Sequence, residues 1–392
     1  MIITALVWLG LIIIPFISLP GYDTRIPKLS AALFFALIIL CVSFYRGIIQ
    51  GFKNKWALIF LSYLLISIFF SPKPDIQVSG VNVQNFWVWQ SMFNILAFGG
   101  LLISLSGNKW DKTGVKMLLH TMVWCGFIMA LYCIVQGFKI DQFFKINQEL
   151  RIFDPLVMYG TLGTPVVVAP FIGMIIPLAL YLKKYIFAGV MALVVVITNS
   201  CVAVGALFLM LLFYFASKGK KQMAIAVSIL ITVIGVYFFV PQANEIFMKE
   251  SHNRSRMWSQ AVIDVLSPGN NDSNALTGKG IGTFTYLYHT VHKDDPLLFN
   301  QYQLHNEYLE LLYNTGIIGL CLFLCAIGYV WKSNFRIKEI WAGKTNSYRM
   351  ALLSSFLYIS ICAGGIFIWQ LGAHIFYTIV IVGLLHNDLD LT

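Results

Sequence analysis

Apolar runs long enough to cross a bilayer recur along almost the whole chain, and few folds accommodate that. A membrane-spanning helix needs about 20 predominantly apolar residues, with roughly 17–25 as the usual range. Runs of this kind fall at 2–20, 29–45, 56–71, 86–106, 114–136, 163–182, 186–199, 201–216, 223–241, 306–331, 348–366 and 373–386. Inside hydrocarbon every backbone N–H and C=O must bond within the chain, so continuous runs of this length fold as helices. The expected fold class is therefore all-α: a polytopic membrane protein of about 12 transmembrane helices. Residues 1–392 form one integral membrane domain. Asn199 and Ser200 interrupt one stretch, so 185–216 is either one long helix or two short ones meeting at a polar break.

Composition agrees. Apolar residues make up 58% of the chain and charged residues 11%, and the mean hydropathy is +0.77. A soluble domain has roughly 45–50% apolar and about 25% charged residues, so lipid must solvate most of this surface. The first apolar run lacks a basic n-region and a small-residue cleavage site, which reads as a retained span rather than a signal peptide. All seven cysteines lie in apolar segments, where neither a disulfide framework nor zinc spacing is visible.

The net charge of +10 does not point to nucleic acid, because its placement follows topology. Loops on the side of the termini hold sixteen of the 27 basic residues, in clusters such as Lys109, Lys112 and Lys116 or Lys218, Lys220 and Lys221. Basic residues concentrate on the cytoplasmic side, so both termini are expected in the cytoplasm. The opposite face carries two long loops, 138–162 and about 241–305. Loops of such length are functional or disordered. The second contains Trp258, Phe284 and several tyrosines, which predicts order, with a short helix near 254–266.

Chemistry-bearing residues gather in this second loop. It holds Arg254, Arg256 and Lys279, the last within the glycine-rich run GKGIG, and it ends in His305, Asn306 and Glu307 as a helix begins. An imidazole at a helix N-terminus is kept neutral by the positive end of the dipole. A neutral imidazole can take a proton from a hydroxyl, and guanidinium groups suit a diphosphate because they grip it with two hydrogen bonds. Against this, a histidine at a membrane boundary is ordinarily interfacial, and arginines in an external loop ordinarily solvate it. His252, His289 and His292 read as surface residues. Asp294 and Asp295 lack the clustered oxygens of a magnesium site and read as a solvated turn. Glu307 and Glu310 sit at the membrane edge, where an acid is a functional candidate, orienting His305 or Arg254; capping of the helix is the alternative role of Glu307.

Spacing adds a further argument. From His305 the chain reads HNEYLELLYNTGIIGL: His-Asn, nine residues, then Gly316, two residues and Gly319. Upstream, NRSRMWSQA places Arg254 four residues before Trp258, and GKGIGTF contains Gly278, Gly280, Gly282 and Phe284. These motifs, in this order, resemble the O-antigen ligase and O-antigen polymerase family, best over residues 153–320, as does the layout of twelve spans with a long periplasmic loop at 241–305. Two departures stand out. Gly160, Thr161, Leu162, Gly163 and Thr164 lack the asparagine of the family's corresponding segment, and Cys201 follows Ser200 where the family has arginine. Arg25, Lys73 and Arg151 lie on the side that could replace that charge.

The resemblance implies a GT-C-like, metal-independent, inverting glycosyltransferase of the bacterial inner membrane, with no cofactor. The donor would be a glycan on undecaprenyl diphosphate and the acceptor a sugar hydroxyl, on lipid A–core for a ligase or on another repeat unit for a polymerase. It implies His305 as the catalytic residue, with Arg254, Arg256 and Lys279 as diphosphate contacts. Asn306, Glu307, Glu310, Trp258, Gly280, Gly316 and Gly319 would support them. The different-class alternative, a transporter or flippase without chemistry, would need broken helices in corresponding halves and charges at the bilayer midplane; only His120 and His374 lie within or near the end of a span. The orientation is directly testable: a fluorescent protein fused after Thr392 should glow, while alkaline phosphatase inserted near Gly269 should be active.

Overall fold

The apolar runs fold as helices, and prolines, glycines and polar caps decide where each one stops. The structure, a computed structural model, describes residues 1–18, 24–47, 52–71, 82–83, 86–87, 91–141, 157–218, 241–266, 275–292, 295, 303–335 and 347–387. In chain order the helices are α1 (Ile2–Phe16), α2 (Arg25–Tyr45), α3 (Lys55–Ser67), α4 (Met92–Gly107), α5 (Lys112–Gly137), α6 (Pro165–Gly173) and α7 (Ile176–Tyr181). They continue as α8 (Tyr185–Ile197), α9 (Cys201–Ala216), α10 (Pro241–Leu266), α11 (Phe284–Val291), α12 (Glu307–Asn334), α13 (Ser347–Ala363) and α14 (Gly372–Leu385). One antiparallel pair of two-residue strands, Asn82–Val83 and Phe86–Trp87, departs from an otherwise helical fold among the described residues.

Three described helices, α2, α5 and α12, are long and apolar enough to cross a membrane, and the other apolar helices are shorter. The expected run 86–106 starts only at Met92, because Ser91 caps the helix by accepting from the Asn94 N–H at 3.2 Å. The run 163–182 is two helices rather than one, with Pro170 inside α6 and Pro177 at the start of α7. The polar break at 198–200 likewise divides α8 from α9, and Asn199 there takes a left-handed φ of 54°. The expected span 223–241 lies, but for its last residue, outside the described residues.

Most of the helices share one apolar core. α1 lies against α2 and α5, α14 against α2 and α4, and α9 against α13, while α3 pairs with α12. The long loop does not stay a loop. Its first part is α10, a helix far longer than the short one expected near 254–266, and α11 follows. Met257, Ala261 and Val265 recur on one face of α10 and pack with Phe284, Tyr288, Leu304 and Tyr313. Spacing of four keeps residues on the same face of a helix, so this segment builds a small core of its own over the start of α12.

The union of loop and bundle is made at a break in α12. Gly316 has φ 66° and ψ −171° in mid-helix. Such a break orphans carbonyls before it and N–H groups after it, and in an apolar setting each must find a partner. The glycine-rich turn supplies them. Lys279 N–H donates to Tyr313 O at 3.1 Å and Gly280 N–H to Asn314 O at 2.7 Å, while Ile317 N–H and Ile318 N–H donate to Ala275 O and Leu276 O at 3.0 and 3.1 Å. The Tyr63 hydroxyl, from α3, donates to Thr315 O at 2.7 Å and reaches Thr277 O at 3.4 Å.

The approach is close enough to exclude side chains. A Cβ on Gly316 would strike the Leu276 carbonyl, and one on Gly278 would strike the backbone of α12. Gly316→Ala therefore combines a left-handed φ with a backbone clash and should destabilise the protein by about 2 kcal/mol or more. Thermal unfolding in detergent should show that loss. Gly205→Ala, where a Cβ meets nothing within 4 Å, should instead be neutral or gain up to about 1 kcal/mol as a helix-interior substitution.

Candidate functional site

The segment that carries His305 is pinned at the residue before it. Trp258 Nε1 on α10 donates to Leu304 O at 2.7 Å, and the Leu304 N–H donates to Glu310 Oε2 on α12 at 3.1 Å. With both backbone groups of Leu304 fixed, the chain turns through His305 at φ 51°, a left-handed conformation uncommon for a residue with a side chain. Asn306 then starts the helix, its Oδ1 accepting from the N–H groups of Tyr308 and Leu309, both at 3.1 Å. The cap is Asn306, not Glu307.

Arg254 and Trp258 lie one turn apart on α10, so both face α12 and the connection between α13 and α14. The Arg254 guanidinium donates to Gly365 O at 3.0 Å. The His305 ring stands edge-on to Phe367, with centroids 5.1 Å apart. Its Nδ1 is enclosed without a hydrogen-bond partner among the described residues, and Nε2 is not so enclosed. Buried polar atoms nearly always find partners, and an exception in a native fold calls for a functional explanation. A proton held on Nδ1 leaves the Nε2 lone pair as the acceptor. Burial first, and the Arg254 guanidinium second, pull the His305 imidazole down to about 4. Desolvation, with Arg254 adding to it, thus favours the neutral ring expected at this helix start.

The remaining expected site residues divide. Glu307 and Glu310 are both buried, at 6% and 3% exposure, and among the described residues their side chains bond to Leu304, Trp369 and Gln370 rather than to His305 or Arg254. Glu307 Oε1 accepts from the Trp369 N–H at 2.8 Å, while Glu310 holds Leu304. Arg256 is not brought to His305: two residues from Arg254 it projects from another face of α10 and pairs with Asp295 Oδ2 at 2.6 Å. Lys279 is buried at the loop–helix joint, with Nζ 5.0 Å from the centre of the Tyr313 ring. Gly280 and Gly316 belong to that same joint, and Gly319 lies where a Cβ would strike Thr315. Of the candidate replacements for the missing family arginine, Arg25 opens α2, and Lys73 and Arg151 lie outside the described residues.

Three features escaped the sequence reading. The connection 364–371 contributes Gly365, Phe367, Trp369 and Gln370; its only signal was a lone glutamine after two aromatic residues and paired glycines, GGIFIWQLG. Tyr63 braces the joint from α3. His292 is not a surface residue, since it pairs with the buried Asp264 at 2.7 Å; the side chains of His252 and His289 lie outside the described residues. Among the described residues no group of three or more His, Cys, Asp or Glu side chains is arranged to hold a metal. Compared with known proteins, the chain matches no family model and no curated protein.

The electrostatics yield a pH prediction. An unfolded histidine titrates near 6.5, so between that pH and about 4 the unfolded chain binds a proton that the folded ring refuses. This contribution to stability is complete above pH 6.5 and is lost as pH falls towards 4. Thermal unfolding of the wild type should therefore fall more steeply over pH 6.5–4 than that of His305→Ala.

Proposed function

We propose that this chain is a multi-pass glycosyltransferase of the O-antigen ligase type. It would act at the periplasmic face of the bacterial inner membrane and carry about twelve spans. It would move a glycan from undecaprenyl diphosphate to a hydroxyl of lipid A–core. The observation that carries the reading is the convergence of His305 and Arg254, held together by Trp258, Leu304, Gly365 and Phe367 under a folded layer on a helical bundle. These are residues the family resemblance singles out, and they meet although 51 positions separate them in the chain.

The step is a single displacement. The acceptor oxygen attacks the anomeric carbon, the bond from that carbon to the diphosphate oxygen breaks with inversion, and undecaprenyl diphosphate departs. Arg254 would meet the charge that develops on the leaving group. Loss of one such group costs about 10²–10³ in rate in comparable sites. His305 would orient the hydroxyl through Nε2 and accept its proton. A ring held near 4 is a weak base on its own, but an incoming diphosphate beside it favours the imidazolium and raises its basicity. Binding of the donor would in this way prepare the base.

A place for the lipid tail supports the same reading. An apolar cavity of about 260 Å³ runs between α3, α4, α12 and α14, bordered by Phe60, Phe98, Phe323 and Val382. Glu307, Trp369 and Gln370 form its polar wall beside the site. His374, a candidate midplane group under the transporter reading, bonds to Val167 O at 2.8 Å with its ring against Phe171, which is a packing role.

Deletion of the gene tests the proposal on a lipopolysaccharide gel. The expected result is bare core with accumulated lipid-linked polymer, restored by the wild-type gene but not by His305→Ala or Arg254→Ala. Core capped with a single repeat would instead identify a polymerase. An unchanged lipopolysaccharide pattern would overturn the proposal.

A further inference from the structure

The connection between α13 and α14 meets the candidate site at one side chain more than at any other. The Gln370 amide nitrogen donates to Glu310 Oε1 at 3.1 Å and reaches Glu307 Oε2 at 3.4 Å, while its Oε1 accepts from Gln303 Nε2 at 3.1 Å. Gln370 is 6% exposed. Both carboxylates of α12 and the segment leading into His305 thus converge on one amide.

The chemistry of the position demands an amide. Two donors are needed towards the carboxylates and one acceptor towards Gln303. Lysine and arginine offer no acceptor, and an ionised carboxylate offers no donor. The amide is also the link between two walls of the site. Through Glu310 it reaches the Leu304 N–H, one residue before His305. Along its own chain it sits three residues from Phe367, which faces the His305 ring, and five from Gly365, which accepts from Arg254.

We propose that Gln370 is a positioning residue for His305, fixing the backbone before the imidazole to the loop that walls its ring. The inference rests on the reading of His305 as the group that engages the acceptor hydroxyl. Gln370 acts through His305 and touches no reacting atom. Misplacement of a reacting group by about 1 Å can cost on the order of 10²-fold in rate, so a bond network two residues away has leverage.

The test uses the full-length protein in detergent and asks how fast diethyl pyrocarbonate modifies His305, followed by peptide mass spectrometry. Gln370→Met keeps the length of the side chain and removes its hydrogen bonds; Gln303→Ala cuts only the link to the preceding segment. Both should raise the rate at His305 about fivefold or more while His292 keeps its rate. In proteoliposomes carrying lipid-linked glycan and lipid A–core, Gln370→Met should lower turnover about tenfold to hundredfold at unchanged acceptor KM. Added to His305→Ala it should lower transfer no further. An unchanged His305 rate in both variants overturns the positioning role, as does an independent additive loss in the double variant; if Gln370→Met does not fold, the Gln303→Ala rate alone decides. Should the wild-type protein transfer no glycan while the modification rates shift as expected, the positioning geometry stands and the transferase reading falls; full transfer by His305→Ala would instead remove His305 from the reaction and overturn the inference with it.

Discussion

Everything outside the bundle hangs from one backbone joint. α12 breaks at Gly316, and residues 275–280 answer four of the groups that the break exposes with main-chain partners, while the Tyr63 hydroxyl meets a fifth. Four such bonds in an apolar setting are hard to exchange for water, and leaving any of them unmade costs more than an average hydrogen bond contributes. Once the turn is seated, Phe284 falls against Tyr288 and Tyr313, and α10 has a surface on which to lay Met257, Ala261 and Val265. The placement of Arg254 and Trp258 follows from that docking.

The site is then assembled by indirect means. Among the described residues no side-chain hydrogen bond reaches the His305 ring; the bonds around it reach Leu304 on one side and the 364–371 connection on the other. The imidazole is left with one enclosed nitrogen and one that is not. On the proposed reading, such surroundings are what a preorganised centre needs, with supporting contacts that fix position and leave the reacting atom to its substrate. Glu307 and Glu310 belong to the support, although their depth alone had made them candidates for chemistry.

Local pattern was legible in the residues and long-range contact was not. Among the described residues hydropathy located most of the apolar helices to within a few residues, because apolar length is a property of each segment alone. It missed the division of 163–182, where Pro170 and Pro177 outweigh the apolar character around them, and it ran the fourth helix too far back, through residues that precede the Ser91 cap. In the site, His305, Arg254 and Trp258 stood out by spacing. Arg256 and Lys279 stood out equally by charge, yet one pairs with Asp295 and the other is buried over Tyr313. A positive charge in a loop does not reveal which neighbour it will meet. Gln370 was the harder case, since a single amide in an apolar loop carries no periodic signal and its partners on α12 lie 60 and 63 positions away.

The joint at Gly316 has one more implication, for how far such chains can drift. Its four bonds use only peptide groups, so the identities of Ala275, Leu276, Ile317 and Ile318 do not enter them. Backbone contact forbids a Cβ at Gly278 and Gly316, and Gly280 adds a φ of 101° that favours glycine. Selection can therefore rewrite the surrounding side chains, provided those glycines and their spacing survive, and His305 would still be delivered to the same place. A layout anchored in this way can persist long after overall likeness between two sequences has worn away.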